Sequence, residues 1–171
     1  FVRDNPSSEL VNAVAAAFTK SGTSIKAALR AMVSHPEFIS SRGSKVRSPI
    51  EDTVATIRAL RVAPTAPTSN QSFARAIYWA ATDQGQTPYS WPAPNGFPEV
   101  NGAWSTPGRV LNTFDFHRNL GAFWWPTDQA SIPSDATWLP AFPATYAAVI
   151  DAAALALLGT AIPQEHKDGI A

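Results

Sequence analysis

The sequence contains no cysteine, which excludes disulfides, thiolate metal sites and a cysteine nucleophile together. It leaves the compartment open, because exported proteins can also lack cysteine. Charge is scarce: only 15% of residues are Asp, Glu, Lys or Arg, and the formal net charge is zero. Nucleic acid is therefore not an expected partner, since phosphate backbones call for a dense cationic stripe. An apolar run of the roughly 18 residues needed to span a bilayer is also missing. Tyr146 to Leu158 comes nearest, but it is shorter and interrupted by Asp151, so it reads as a buried helix. There is no Gly-x-Ser-x-Gly elbow, and Gly43-Ser44-Lys45 lacks the rest of a P-loop. A serine hydrolase and a nucleotide-binding protein thus have no support from motifs.

What is present is a globular composition, with 45% hydrophobic residues in a chain of 171. A chain of that length can bury about 70% of its unfolded surface, which predicts one sizeable core. The few charges are unevenly spread. Residues 1 to 70 hold nine Lys/Arg against five Asp/Glu, and residues 71 to 171 hold four against eight.

Helical spacing dominates the first half. Leu10, Val14 and Phe18 predict a helix from about Pro6 to Lys20, with Asn5 as N-cap and Gly22 as stop. Ile25, Ala28, Leu29 and Met32 predict a second, started by Thr23 or Ser24 and ended by Pro36. Ser48-Pro49-Ile50-Glu51 combines a capping box with a proline at the first helical position, ahead of Val54, Ile57 and Leu60. Phe73, Ile77 and Ala80 define a fourth helix ending near Thr82.

The composition then changes: residues 83 to 143 hold five of the six tryptophans and nine of the fifteen prolines. Long loops are expected there around a single helix, from Thr106-Pro107 to Phe116 or on to Phe123. A last helix carries Tyr146, Val149, Ile150, Ala153 and Leu157 on one face and closes at Gly159. The fold class predicted is mainly α, about six helices in an orthogonal or irregular bundle with no substantial sheet. The whole chain is expected to form a single domain, with a helical subregion 1–82, an aromatic and proline-rich region 83–143 and a C-terminal helix in 144–171.

Four blocks resemble the DUF1800 family in the expected order. "FVRDNPSSELVNAVAAAFTKSG" is similar to its Arg-Asp-Pro start, helix and Ser-Gly stop, and "MVSHPEF" to its Ser-x-x-Phe helix end. "KVRSPIEDTVATIRALRV" resembles its Lys-x-Lys-x-Pro-x-Glu helix, with Arg47 in place of the second Lys. "GQTPYSWPAPNGFPEVNGAWSTPGRVLNTFDF" resembles its Gly-Gln, Pro-aromatic-Pro, Gly-Trp-Pro and Trp-then-Arg succession, with Phe97 where the family has Trp. The resemblance implies the C-terminal portion of a larger, mostly helical, often exported bacterial protein, periplasmic or extracellular. It implies no activity. The start at Phe1, without Met, fits such a portion, and the N-terminal part of the same chain is then one expected partner.

Candidate chemistry is sparse. His35, His117 and His166 are far apart and none has a ligand partner at helical spacing, so no metal and no cofactor is expected. His35, ahead of Pro36, is expected near the carbonyls of a helix end, where a partly positive imidazole is favoured. Asp115, His117 and Arg118 could supply a base, an acid and an anion clamp, with Glu99 a further candidate, which would make a hydrolase. Asp115 and His117 are two apart and point in different directions on a helix. The plainer expectation is a polar helix face with Phe114 packed in the core. Arg109, in the first turn of its helix, is expected to bind a carboxylate or carbonyls, with Glu99 as candidate.

The aromatic loops are the most informative feature. Tyr89, Trp91, Phe97, Trp104, Phe123, Trp124, Trp125 and Trp138 either staple loops to the core or form a platform for a ligand. Trp91, Trp104, Trp124, Trp125 and Tyr89 are the candidates for contacting a ligand. The reading favoured is a binding or assembly module offering an aromatic surface to a carbohydrate or a cell-envelope protein; the alternative is a hydrolase near Asp115, His117 and Arg118.

Overall fold

A computed structural model describes residues 1–67, 72–126, 129–134, 139 and 141–170. Among these, eight α-helices and one two-stranded ladder form a mainly α protein with no substantial sheet. The chain divides into two compact units, residues 1–48 with 95–106, and residues 49–94 with 107–171. The change of composition at residue 83 falls inside the second.

In the first unit, α1 (Ser8–Lys20) is started by Ser7, whose hydroxyl accepts the Leu10 N–H, so the cap lies two residues past the Asn5 expected for it. It ends in a Schellman motif: Gly22 at φ +67° lets the Thr23 N–H reach the Phe18 carbonyl and its own N–H that of Thr19. α2 (Ile25–Ser34) is capped by Ser24 and packs on α1. Pro36 forces His35 into extended backbone and opens the short α3 (Pro36–Ser40). His35 turns a ring nitrogen to a backbone amide rather than to carbonyls. Its Nδ1 accepts the Glu37 N–H at 3.2 Å, because α3 begins where α2 stops and leaves its first amides in need of an acceptor.

Segment 95–106, which includes a 3-10 turn at Asn101–Trp104, is tied to this unit by polar contacts. Asp4 accepts the Asn101 N–H at 2.8 Å and the Lys45 ammonium at 3.0 Å. Asn101 accepts the Val46 N–H at 2.9 Å and donates to the Ser44 carbonyl at 2.7 Å, and Lys45 also donates to the Glu99 carbonyl. Asp4, Lys45 and the residues around Pro98, which lie in three of the four family-like blocks, thus meet in one knot.

The second unit is built on α4 (Pro49–Ala59), α5 (Phe73–Asp83) and α6 (Pro107–Gly121), with α4 packing on α5 and α5 on α6. Ile57, Val62, Phe73, Ala76, Ala80, Phe116, Leu120 and Ala130 form its core. Inside it Gln84 donates to Thr53 (3.3 Å) and to the Ala80 carbonyl (3.1 Å) and accepts from Thr113 (2.9 Å), so one buried amide links α4, α5 and α6. Gln86, from the Gly-Gln pair, accepts the Ile50 N–H at 2.9 Å at the start of α4. Strands β1 (Ala63–Pro64) and β2 (Ala130–Ser131) pair antiparallel.

Two expectations about the core are corrected here. Phe114 is 65% exposed: Phe116 and Leu120 turn inward, and a residue two positions from Phe116 lies on nearly the opposite side of the helix. α7 (Tyr146–Leu158) buries only Ala154 fully and exposes Tyr146, Leu155 and Leu158, since a helix packed chiefly on α4 has one covered stripe. Thr145 caps it and Gly159, at φ +66°, ends it. The short α8 (Gln164–Asp168) follows, with Lys167 paired to Asp151 of α7.

Candidate functional site

The last turn of α5, one face of α6 and the loop after α6 enclose a cavity of about 410 Å³ in the second unit. α5 contributes Ala80 and Asp83; α6 contributes Asn112, Asp115, Phe116 and Asn119; the loop contributes Trp125. Asn112, Asp115 and Asn119 stand at i, i+3 and i+7, the spacing that aligns side chains along one helix face. The floor is apolar, from Ala80 and Phe116, and the rim carries two carboxylates, two amides and an indole.

Trp125 is set in place by the way α6 ends. Phe123 takes the left-handed conformation at φ +58°, and the Phe123 and Trp124 N–H groups reach back to the Leu120 (3.3 Å) and Asn119 (2.9 Å) carbonyls. This is the Schellman geometry usually given to glycine. It turns the chain sharply and directs Trp125 toward the cavity and the core. Asn112 donates to the Asp83 carbonyl and so fixes α6 against the end of α5.

The residues proposed for hydrolysis separate. Asp115 pairs with Arg118 at 3.9 Å along the exposed side of α6, and the Arg118 guanidinium lies 5.2 Å from the centre of the Trp124 ring. His117 turns the other way, with Nε2 3.0 Å from Asp52 and 3.1 Å from Thr56, both on α4. Glu99 belongs to the first unit, where its carbonyl accepts from Lys45.

The aromatic candidates separate too. Trp104 is 7% exposed, donates its indole N–H to the Pro98 carbonyl at 2.8 Å and packs against Phe97 at 6.2 Å between centroids, so it staples the 95–106 segment. Tyr89 projects fully into solvent at φ +64°; Trp91 and Phe123 are partly exposed, and Trp124 is 61% exposed. Among the described candidates only Trp125 lines the cavity. Trp138 lies outside the described residues.

Asp83, Asn112 and Asn119 were not anticipated. The signal for the last two was present in their spacing around Asp115, and for Asp83 in an acidic residue at the end of a helix, where a cation is favoured. Among the described residues no group of three or more metal-ligating side chains comes together, and no helix is long and apolar enough to cross a membrane.

A family model described as a protein of unknown function, DUF1800, matches residues 1–171. No curated protein and no solved structure shows a significant match.

Proposed function

Since the chain belongs to the DUF1800 family, whose description carries no activity, we propose from the chemistry of the cavity that the second unit is a carbohydrate-binding module. The observation that carries this reading is the convergence of Trp125 with Asp83, Asn112, Asp115 and Asn119 around one cavity. A sugar ring presents an apolar face that stacks on indole and a rim of hydroxyls that pair with carboxylates and amides, and concave sites of this mixed lining suit such ligands. The exposed Trp124 ring, with Arg118 over it, extends the aromatic surface beyond the cavity mouth.

The test is calorimetric titration of the full chain with neutral oligosaccharides of several linkages, following tryptophan fluorescence in parallel. Saturable binding that Asp115→Ala and Trp125→Phe each weaken about tenfold or more supports the reading, a loss of about 1.4 kcal/mol per substitution. Absence of binding across the panel, or binding indifferent to both substitutions, sinks it. Release of new reducing ends during the titration would instead favour a hydrolase.

A further inference from the structure

We propose that the outer face of α1 and α2, in the first unit, docks on an anionic lipid membrane, an inference that stands apart from the carbohydrate reading of the second unit. Helix α2 buries none of its residues fully, and Ile25 (70% exposed), Leu29 and Val33 stand in water at i, i+4 and i+8. Ala28 and Met32, at i+3 and i+7 from Ile25, continue the stripe into an apolar groove of about 550 Å³ that α1 completes with Val11, Val14 and Phe18. Folded proteins seldom leave so continuous an apolar strip uncovered, and such strips mark interaction surfaces.

Charge decides what covers it. Lys26 and Arg30 directly follow Ile25 and Leu29, so both lie along one edge of the stripe, and α2 contains no acidic residue. Among the described residues neither cation meets a carboxylate, whereas Arg3 and Lys45 of the same unit are paired with Glu37 and Asp4. Glu9 and Lys20 lie on the side of α1 turned from Val11 and offset each other. An apolar stripe edged by cations, with no acid beside it, is the layout of a helix lying in a bilayer interface: its apolar side enters the acyl region and its charged groups meet lipid phosphates. A partner helix would instead be recognised by the groove, yet Ile25, Leu29 and Val33 stand outside it.

The experiment sediments the full chain with vesicles of phosphatidylcholine and with vesicles of an equimolar mixture of phosphatidylcholine and phosphatidylglycerol. Binding to the mixed vesicles should be about 25-fold tighter, roughly fivefold for each cation at the surface, and should weaken as salt is raised. Lys26→Gln combined with Arg30→Gln should remove that preference, whereas Lys20→Gln, on the far side of α1, should leave it. Leu29→Asp should abolish binding with circular dichroism unchanged, and Ile25→Ser makes the same test if Leu29→Asp alters the fold. No binding, equal binding to the two vesicles, binding that survives loss of the apolar stripe, or a loss with Lys20→Gln as large as with the paired substitution overturns the inference. So does a dimer in light scattering that Leu29→Asp dissolves without any vesicle binding, which would assign the face to a second copy of the chain.

Discussion

Two pairs of carboxylates, one pair in each unit, are put to opposite uses. In the first, the carboxylates of Asp4 and Glu37 are surrounded by donors: Asp4 by the Asn101 N–H and Lys45, Glu37 by Arg3 at 3.2 Å and by the Ser7 N–H and hydroxyl. In the second, Asp83 and Asp115 line a cavity with two amides and an indole. A carboxylate whose acceptor sites are filled from within holds a segment of chain in place; one that keeps them toward a cavity is available to a ligand. The units also differ in what holds them together. Polar ties anchor residues 95–106 of the first, whereas a continuous apolar cluster from Ile57 to Ala130 joins the helices of the second.

If that contrast is right, the largest effect comes from opening the apolar core. Leu120 is fully buried between the helices of the second unit, and Leu120→Ala should cost about 2–5 kcal/mol, the lost transfer energy plus that of the cavity left behind. Urea denaturation followed by circular dichroism measures it, and a loss below about 1 kcal/mol would break the claim that this cluster dominates. Next comes a polar group buried beside that core, the Gln84 amide. Gln84→Leu strips partners from buried Thr53 and from Thr113, and unanswered buried groups cost about 1–3 kcal/mol in all. A neutral or stabilised variant would mean that the amide sets the arrangement of the three helices without adding to stability.

The first unit should respond to acid. The Asn101 N–H, and then Lys45, hold the Asp4 carboxyl below the ordinary carboxylate range, while its partial desolvation opposes them. For Glu37 the Ser7 hydroxyl is the main cause, assisted by the Ser7 N–H, Arg3 and His35 and opposed by desolvation. Folded-state values below the unfolded ones mean that this stabilisation is complete above the unfolded values and is lost as pH falls through the folded ones. Hydrogen exchange at the Val46 and Asn101 amides should therefore accelerate, relative to intrinsic rates, once the pH drops below the usual carboxylate range. Asp4→Asn should weaken protection at neutral pH and flatten the acid response. Protection of these amides that does not change with acid would remove the distinction between the units.

Much of the fold was legible because its signals are local. Ser24 caps, Pro36 and Pro49 punctuate, Gly159 stops, and each acts within a turn of its own helix. α3 and α8, five residues each, are too short for periodicity to register, and a ladder of two residues per strand shows no alternation. The candidate site was legible in part. Asp115 and Trp125 stood out by type, but the cavity exists because α5 lies beside α6, and no local rule sets that. His117 makes the same point: its partners Asp52 and Thr56 are 65 and 61 residues away. Phe114 was misjudged because a run of alternating aromatics, Phe114 and Phe116, gives no hint of which one the core will take.

The smallest effect concerns how each unit turns its chain. After α1, in the first unit, left-handed backbone falls on Gly22 and on Thr23; at Tyr89, in the second, it falls on a residue with a fully exposed bulky side chain. Left-handed backbone costs a non-glycine residue roughly 1–2 kcal/mol, and glycine gives back about 0.5–1 kcal/mol of this through its greater freedom when unfolded. Tyr89→Gly should thus stabilise the chain by about 0.5–1 kcal/mol, read as a higher urea midpoint at unchanged slope. A ring that projects wholly into water at a strained position contributes little to packing, and strain of this kind tends to accumulate where a ligand uses the side chain. Oligosaccharide titration of the same variant separates the two meanings: weaker binding together with higher stability assigns Tyr89 to the aromatic surface, whereas higher stability with unaltered binding confines that surface to Trp124 and Trp125. A lower midpoint would show that the tyrosine stabilises the turn, and the proposed strain would not hold.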